Sequence, residues 1–264
     1  MIKYYMLIAG WVLSFAGLAQ NYEMPELVNG ILNQEILSQR MVKDYMMIGL
    51  KLKTYKARED LDETVSEYEE YRLAFEDADL SVPLMKSFEK SDDIWMKFRL
   101  IITDEVTKEG AFQLLKTNSS LIFSADNSLN IVKSPEAGDT IKGYYLSMHL
   151  QMLAQRLASY YFLYTWGVKK EATLRYLSDA SVEFERGLKE LASLNINSMK
   201  IKSKLMSLRI DWELAQKDIG NLGMGRINNG NIYEITNGFT KSLSLISDWC
   251  LEMKTRSEVT ANRN

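Results

Sequence analysis

The sequence predicts an all-α protein made of two tandem antiparallel four-helix-bundle units. Apolar residues recur at spacings of three and four along most of the chain, which is the period of a helix face. No long stretch alternates with the period of two that a half-buried strand requires. Residues 37–52 return at residues 153–168, shifted by 116 positions. A period that carries several helices per copy indicates a duplicated domain.

The first residues are typical of a secretory signal peptide. Lys3 supplies a positive start, residues 4–15 form an apolar run, and Gly17 and Ala19 are small residues placed for a cleavage site. We therefore expect a cleaved signal peptide at residues 1–19 and a periplasmic or secreted protein without stable membrane insertion afterwards. The alternative is an uncleaved anchor, but the run is shorter than the roughly 20 residues that span a bilayer.

The first copy is expected to cover residues 21–133. Its four helices are predicted to start near Pro25, near Asp60, at Pro83 and after Gly110. Whether the second helix continues the first is left open, because neither Pro nor Gly marks a turn at residues 56–60. The turn-rich segment 134–140 is the predicted boundary between the copies.

The second copy is expected to cover residues 140–256 and to repeat the same order. Trp212 follows Trp95 by 117 positions and Tyr161 follows Tyr45 by 116. We predict that these four aromatic residues anchor the two cores. The glycine-rich segment 220–230 is predicted to be a loop between helices, because no strand precedes it as a phosphate-binding loop would require.

The composition limits the function classes. The formal net charge of −3 argues against a nucleic-acid partner, since phosphate binding needs a concentrated positive surface. His149 is the only histidine, so no metal site with several histidines can form. We expect no metal, no cofactor and no enzymatic activity. Cys250 has no partner for an internal disulfide; its apolar helical row favours a buried thiol, and an intermolecular bridge stays open.

A short motif resembles a known sensor family. Residues 37–41, Leu-Ser-Gln-Arg-Met, precede an apolar helix, and a lone Trp follows in the third helix. This resembles the PilJ-type domain, the N-terminal sensing domain of type IV pili methyl-accepting chemotaxis transducers, which is related to the periplasmic sensor of nitrate/nitrite histidine kinases. The family pattern, roughly Gly-Arg-Gln-Arg-Met-Leu-Ser-Gln-Arg-Met, is matched over its second half by residues 36–41 and more loosely by residues 152–157.

The resemblance implies an extracytoplasmic helical bundle that senses a small molecule and signals through a membrane helix. In the nitrate sensors the anion is held by the earlier arginine of the motif, from the first helix of each subunit across a dimer interface. Glu35 and Gln151 stand at that position here. A carboxylate repels nitrate and an amide is a weaker anion ligand than a guanidinium, so nitrate is disfavoured. No membrane helix or output segment follows, so we expect a separate partner protein.

The candidate ligand-binding residues are those of the repeated motif: Glu35, Gln39, Arg40, Gln151, Gln155 and Arg156. Arg40 and Arg156 lie off the apolar stripe, so they are candidates for contact with an anion or a partner. The alternative is an ordinary helix surface, where Arg40 could pair with Asp44 four positions on. The two glutamines could instead hydrogen-bond between helices. Glu67, Glu69 and Glu70 are interpreted as a solvated face, and the aromatic run at residues 160–166 as core or as a pocket wall.

These observations favour an exported, non-enzymatic sensing or ligand-binding module whose small-molecule ligand is not identified. The family suggests a homodimer through the first helices, although two tandem copies could satisfy each other within one chain. The alternative function is a structural or adaptor protein of the cell envelope that binds another protein through its helix faces.

Overall fold

The all-α prediction is confirmed. The structure, a computed structural model, describes residues 24–132 and 138–261, which hold eight α-helices and one short 3-10 helix and no extended strand. The predicted signal peptide lies outside the described residues. None of the described helices carries an apolar window long enough to cross a bilayer.

The helices follow one another with short connections. They are α1 Met24–Gly49, α2 Thr54–Glu76, α3 Val82–Thr103, α4 Lys108–Val132, α5 Asp139–Trp166, α6 Lys170–Ser193, α7 Met199–Asn221, the 3-10 helix Leu222–Met224, and α8 Asn229–Ala261.

The link between α1 and α2 differs from the expectation. The second helix starts at Thr54, about one and a half turns before Asp60, and it does not continue α1. Lys51 and Lys53 hold left-handed backbone angles, with φ of 56° and 45°, and these reverse the chain. Lysine rarely adopts this conformation, so the two residues that turn the chain gave no signal in the sequence.

The glycines predicted to interrupt helices lie within them. Gly110 is in the first turn of α4, where its backbone N–H donates to the side-chain oxygen of Thr107 at 3.0 Å. The helix therefore begins because Thr107 caps it, and the glycine does not break it. The predicted loop at 220–230 is also shorter, since Gly220 lies in the last turn of α7 and Gly230 in the first turn of α8.

Two central helices, α1 and α5, organise the packing. α1 packs against α2, α4 and α5, while α5 packs against α1, α6 and α8; α3 then covers α4 and α7 covers α8. The Tyr144 hydroxyl donates to Asn29 Oδ1 at 2.7 Å near the start of both helices. Gly49 lies against the Trp166 ring near their ends, where a Cβ would collide with it. The two central helices therefore run parallel and in register.

The internal repeat extends to individual hydrogen bonds. The Tyr45 hydroxyl accepts from the backbone N–H of Thr107 at 3.0 Å, and the Tyr161 hydroxyl accepts from that of Asn228 at 2.9 Å. Thr107 and Asn228 each directly precede the fourth helix of their set. Each central helix thus uses an equivalent tyrosine to hold the start of the fourth helix.

Candidate functional site

The two motif arginines make the same ion pair. Arg40 lies 3.8 Å from Glu67 on α2, and Arg156 lies 3.9 Å from Glu183 on α6. Glu183 follows Glu67 by 116 positions, so the pair is repeated with its helices. Arg40 also approaches Asp60 at 3.6 Å, so its ion pairs among the described residues are with α2 and not with Asp44 in its own helix. The recurring arginine therefore ties the first helix of each set to the second.

His149 joins the second of these pairs. Its Nε2 lies 3.1 Å from Glu183 Oε1, on the carboxylate that also faces Arg156. The hydrogen bond with His149 and the charges of His149 and Arg156 outweigh burial and lower the pKa of Glu183. Glu183 therefore stays ionised through the neutral range and holds α6 to α5.

The remaining motif residues are buried in the centre of the protein. The side chains are those of Glu35, Gln39, Gln151 and Gln155, and none is more than 6% exposed. Gln155 donates from Nε2 to the Thr240 hydroxyl on α8 at 2.8 Å. None of the four lines the clefts described below. Their packing is that of polar groups between helices, and their role in ligand binding stays a prediction.

A buried charge pair on α1 was not anticipated. Lys43 Nζ lies 3.7 Å from Asp44 Oδ1 and donates to Asn237 Oδ1 on α8 at 3.2 Å. Burial lowers the pKa of Lys43 and raises the pKa of Asp44 to about 6. The equivalent positions of α5 hold Ser159 and Tyr160. Two adjacent charges inside a run of apolar residues were the available sequence signal.

Open space recurs between the second and third helices of each set. Within each set of four helices, this is the consecutive pair that approaches least closely. A cleft of about 290 Å³ lies between α2 and α3, and one of about 240 Å³ lies between α6 and α7. Larger, shallower clefts of about 460 and 480 Å³ lie further along the same two seams. We call these two contact regions the first seam (α2–α3) and the second seam (α6–α7).

The first seam is bridged by a polar network around Glu69. Its carboxylate accepts from Trp95 Nε1 at 3.0 Å, and from Arg72 Nε at 2.7 Å, and it lies 3.0 Å from Arg99. Burial alone would raise the pKa of Glu69, but the hydrogen bonds from Arg72 and Trp95 lower it overall. The interpretation of Glu69 as part of a solvated face was wrong: its side chain is 20% exposed and joins two helices.

Aromatic stacking between α2 and α3 adds to this polar bridge. The Trp95 ring lies over the Tyr68 ring with centroids 4.0 Å apart and planes 19° apart. Arg72 also reaches Asp92 on α3 at 3.5 Å, across the cleft. The first seam is therefore crossed by a stack and by several charged hydrogen bonds.

The second seam has the same tryptophan in different surroundings. Trp212 packs on Phe184, the equivalent of Tyr68, with ring centroids 4.8 Å apart. Its Nε1–H is buried and has no acceptor within the described part of the chain. Glu185, the equivalent of Glu69, instead contacts Lys189 at 2.6 Å and Gln216 at 3.1 Å. The indole donor that the first seam satisfies is left unsatisfied in the second.

The described residues hold no cluster of three or more His, Cys, Asp and Glu side chains suited to a metal ion. Cys250 is fully buried, and burial raises the pKa of its thiol to about 11.

Comparisons of the chain with protein-family models, with curated proteins and with solved structures find no match.

Proposed function

We propose that the chain is an exported, non-enzymatic sensing module of the PilJ type, which binds a small molecule and acts through a separate protein. The observation that carries the proposal is the open seam between the second and third helices, which recurs in both sets. A molecule that enters such a seam contacts two helices at once. Its binding energy can therefore be converted into a change in their separation.

The central helix pair supports this proposal. α1 and α5 run parallel and in register within one chain. The family resemblance implies such a pair of first helices from two subunits. One chain with two copies can supply both, and no second chain is then needed to complete the core.

The ion pairs of the motif arginines give the module a way to respond. Arg40–Glu67 and Arg156–Glu183 connect each central helix to a helix that borders a seam. A ligand that moves α2 or α6 changes the geometry of these pairs. In this proposal the arginines transmit the movement of the seam helix to the centre and do not hold the ligand. Glu35 and Gln151 argue further against nitrate as that ligand.

A thermal-shift screen tests the proposal. The purified chain is heated with a panel of anions, cations and neutral metabolites, because a ligand that binds only the folded state stabilises it by about 2.7 kcal/mol at one hundred times its Kd. We expect at least one compound to raise Tm in a saturable way. Arg40→Gln and Arg156→Gln variants should still bind it, since they lie outside the clefts. A flat response across a broad panel would contradict the proposal.

A second candidate function, an envelope adaptor, is favoured by one surface. Met199, Met206 and Ile210 on α7 are 80%, 72% and 57% exposed. Spacings of seven and four place them on one face of the helix, with Leu214 continuing the row. If this face binds a protein, Met206→Glu and Ile210→Glu should abolish a stoichiometric complex that small molecules leave unchanged. A complex that survives both substitutions would exclude this face as the binding surface.

A further inference from the structure

We infer that the cleft of the second seam binds a small organic carboxylate with an apolar body, such as a single aromatic ring on a short acid chain. The inference rests on the proposed function, because it assigns a ligand class to one of the two seams. Equivalent positions in the two sets of helices carry different side chains around the cleft, and these differences favour such a ligand.

The first step is the indole donor of Trp212. A buried donor without an acceptor is rare, because folding removes its hydrogen bond to water. In the first seam the equivalent donor, Trp95 Nε1, is satisfied by a carboxylate oxygen of Glu69. In the second seam Glu185 is held by Lys189 and Gln216. Trp212 borders the cleft, and its Nε1 is buried just inside the contact of the two helices. A carboxylate that enters the cleft and parts α6 from α7 would supply what Glu69 supplies in the first seam.

The second step is the apolar lining. Leu188 stands where the first seam has Arg72, and Ala192 stands where it has Glu76. These two side chains line the cleft together with Leu205. The substitutions remove the charged side chains that occupy the first cleft and leave surface that favours an apolar group. A ligand that brought only charge would leave this surface in contact with water.

The third step is the charge at the cleft. Arg209 stands where the first seam has Asp92, which reverses the charge at that position. Arg209 lines the cleft and makes no ion pair among the described residues. A guanidinium presents parallel donors that match a carboxylate. Glu185, Lys189 and Glu213 also line the cleft, and Lys189 is paired with Glu185. Glu213 therefore disfavours a second negative charge on the ligand.

The volume sets the size of the ligand. The cleft offers about 240 Å³. An apolar cavity of about 150 Å³ is enough to hold benzene. One ring with a carboxylate on a short chain therefore fits, while a fused-ring or peptide-sized ligand would extend beyond the cleft.

Calorimetric titration of the purified chain with benzoate and 3-phenylpropionate tests this inference. We expect saturable binding of one molecule per chain, with benzamide at least tenfold weaker and acetate without detectable binding. Trp212→Phe keeps the ring but removes the donor, and Arg209→Gln removes the charge. Each should weaken binding about tenfold to a hundredfold, the effect of losing one hydrogen bond to a charged group. Leu188→Arg, which copies the first seam, should abolish binding.

Trp95→Phe is the matched control, because it removes the donor that is already satisfied, and it should leave affinity unchanged. Arg209 is exposed, so its variant should fold even if Trp212→Phe does not. Unchanged affinity in the Arg209 and Trp212 variants, or no binding of either carboxylate, would overturn the inference. If other compounds still raise Tm, the proposed function survives its failure; if none does, both fail.

Discussion

The two seams are built on equivalent helices but differ in how their polar side chains are satisfied. Trp95 and Trp212 occupy equivalent positions, and each is buried beside an aromatic ring of the preceding helix. In the first seam the indole donor, a glutamate and two arginines form a closed network. In the second seam the same glutamate position faces Lys189 and Gln216, and the indole donor has no acceptor in the described residues.

This difference shows that the helices of the two sets are equivalent while the hydrogen bonds and ion pairs between them are not. The first seam has the ion pair Arg72–Asp92. The equivalent positions of the second seam hold a leucine and an arginine, which give an apolar wall and a charge without an ion pair among the described residues. The tyrosine that holds the fourth helix is kept in both sets, because the fold depends on it. We therefore expect stability to depend on the first seam and ligand binding to depend on the second.

The largest expected effect is the loss of Glu69. Glu69→Ala leaves Arg72, Arg99 and the Trp95 donor without their shared acceptor, so it should lower the free energy of unfolding by about 3 kcal/mol. Glu185→Ala removes a more exposed carboxylate paired within its own helix and should cost less than about 0.5 kcal/mol. Urea unfolding at neutral pH measures both. Equal losses would mean that the two seams are held in the same way.

Asp44, in the first set of helices, should make its own contribution to the pH dependence of stability. The pKa of Asp44 is raised from 3.8 to about 6 in the folded chain. The folded state therefore takes up a proton before the unfolded state does as the pH falls, and stability from this group rises below pH 6. Relative to Asp44→Asn, the native chain should gain about 1.5 kcal/mol between pH 6 and pH 4.5.

Urea unfolding across this pH range makes the comparison. Ser159→Ala, at the position equivalent to Lys43, is the control and should follow the pH profile of the native chain. Parallel profiles for the native chain and Asp44→Asn would show that Asp44 keeps its ordinary pKa.

A smaller difference in stability is expected between the same substitution at the two equivalent tryptophans. Trp95→Phe and Trp212→Phe lose nearly the same ring area, but only the first loses a hydrogen bond to a carboxylate. Trp95→Phe should therefore cost about 1.5 kcal/mol more than Trp212→Phe. The difference between their free energies of unfolding is the measured quantity, and a difference of zero would mean that both donors are equally satisfied.

The smallest expected effect is at the motif arginines. Arg40→Gln and Arg156→Gln each break partly exposed ion pairs, so each should cost less than about 1 kcal/mol. Similar losses in chemical unfolding would agree with their equivalent geometry. A loss well above 2 kcal/mol in only one of them would show that the two pairs are not equivalent.

Helical periodicity and the 116-residue repeat were enough to predict the fold class, because both depend on side-chain spacing alone. The turn at Lys51 and Lys53 was missed because tertiary packing imposes a left-handed backbone on residues that do not prefer it. Glu69 was misread because a run of acidic residues on a helix does not show which of them meets a neighbouring helix. Leu188 and Leu205 have the spacing of core residues but line the cleft, because spacing along one helix does not reveal its distance from the next.

The central claim, that a carboxylate ligand binds at Trp212 in the second seam while Trp95 in the first seam is already satisfied by Glu69, can be tested through the indole N–H signals in a two-dimensional ¹H–¹⁵N NMR spectrum. Trp95→Phe and Trp212→Phe assign the two signals, and benzoate is then titrated into the native chain. The account predicts a saturable shift of the Trp212 signal while the Trp95 signal stays in place. A shift of Trp95 alone, or no shift of Trp212 at millimolar benzoate, would contradict it.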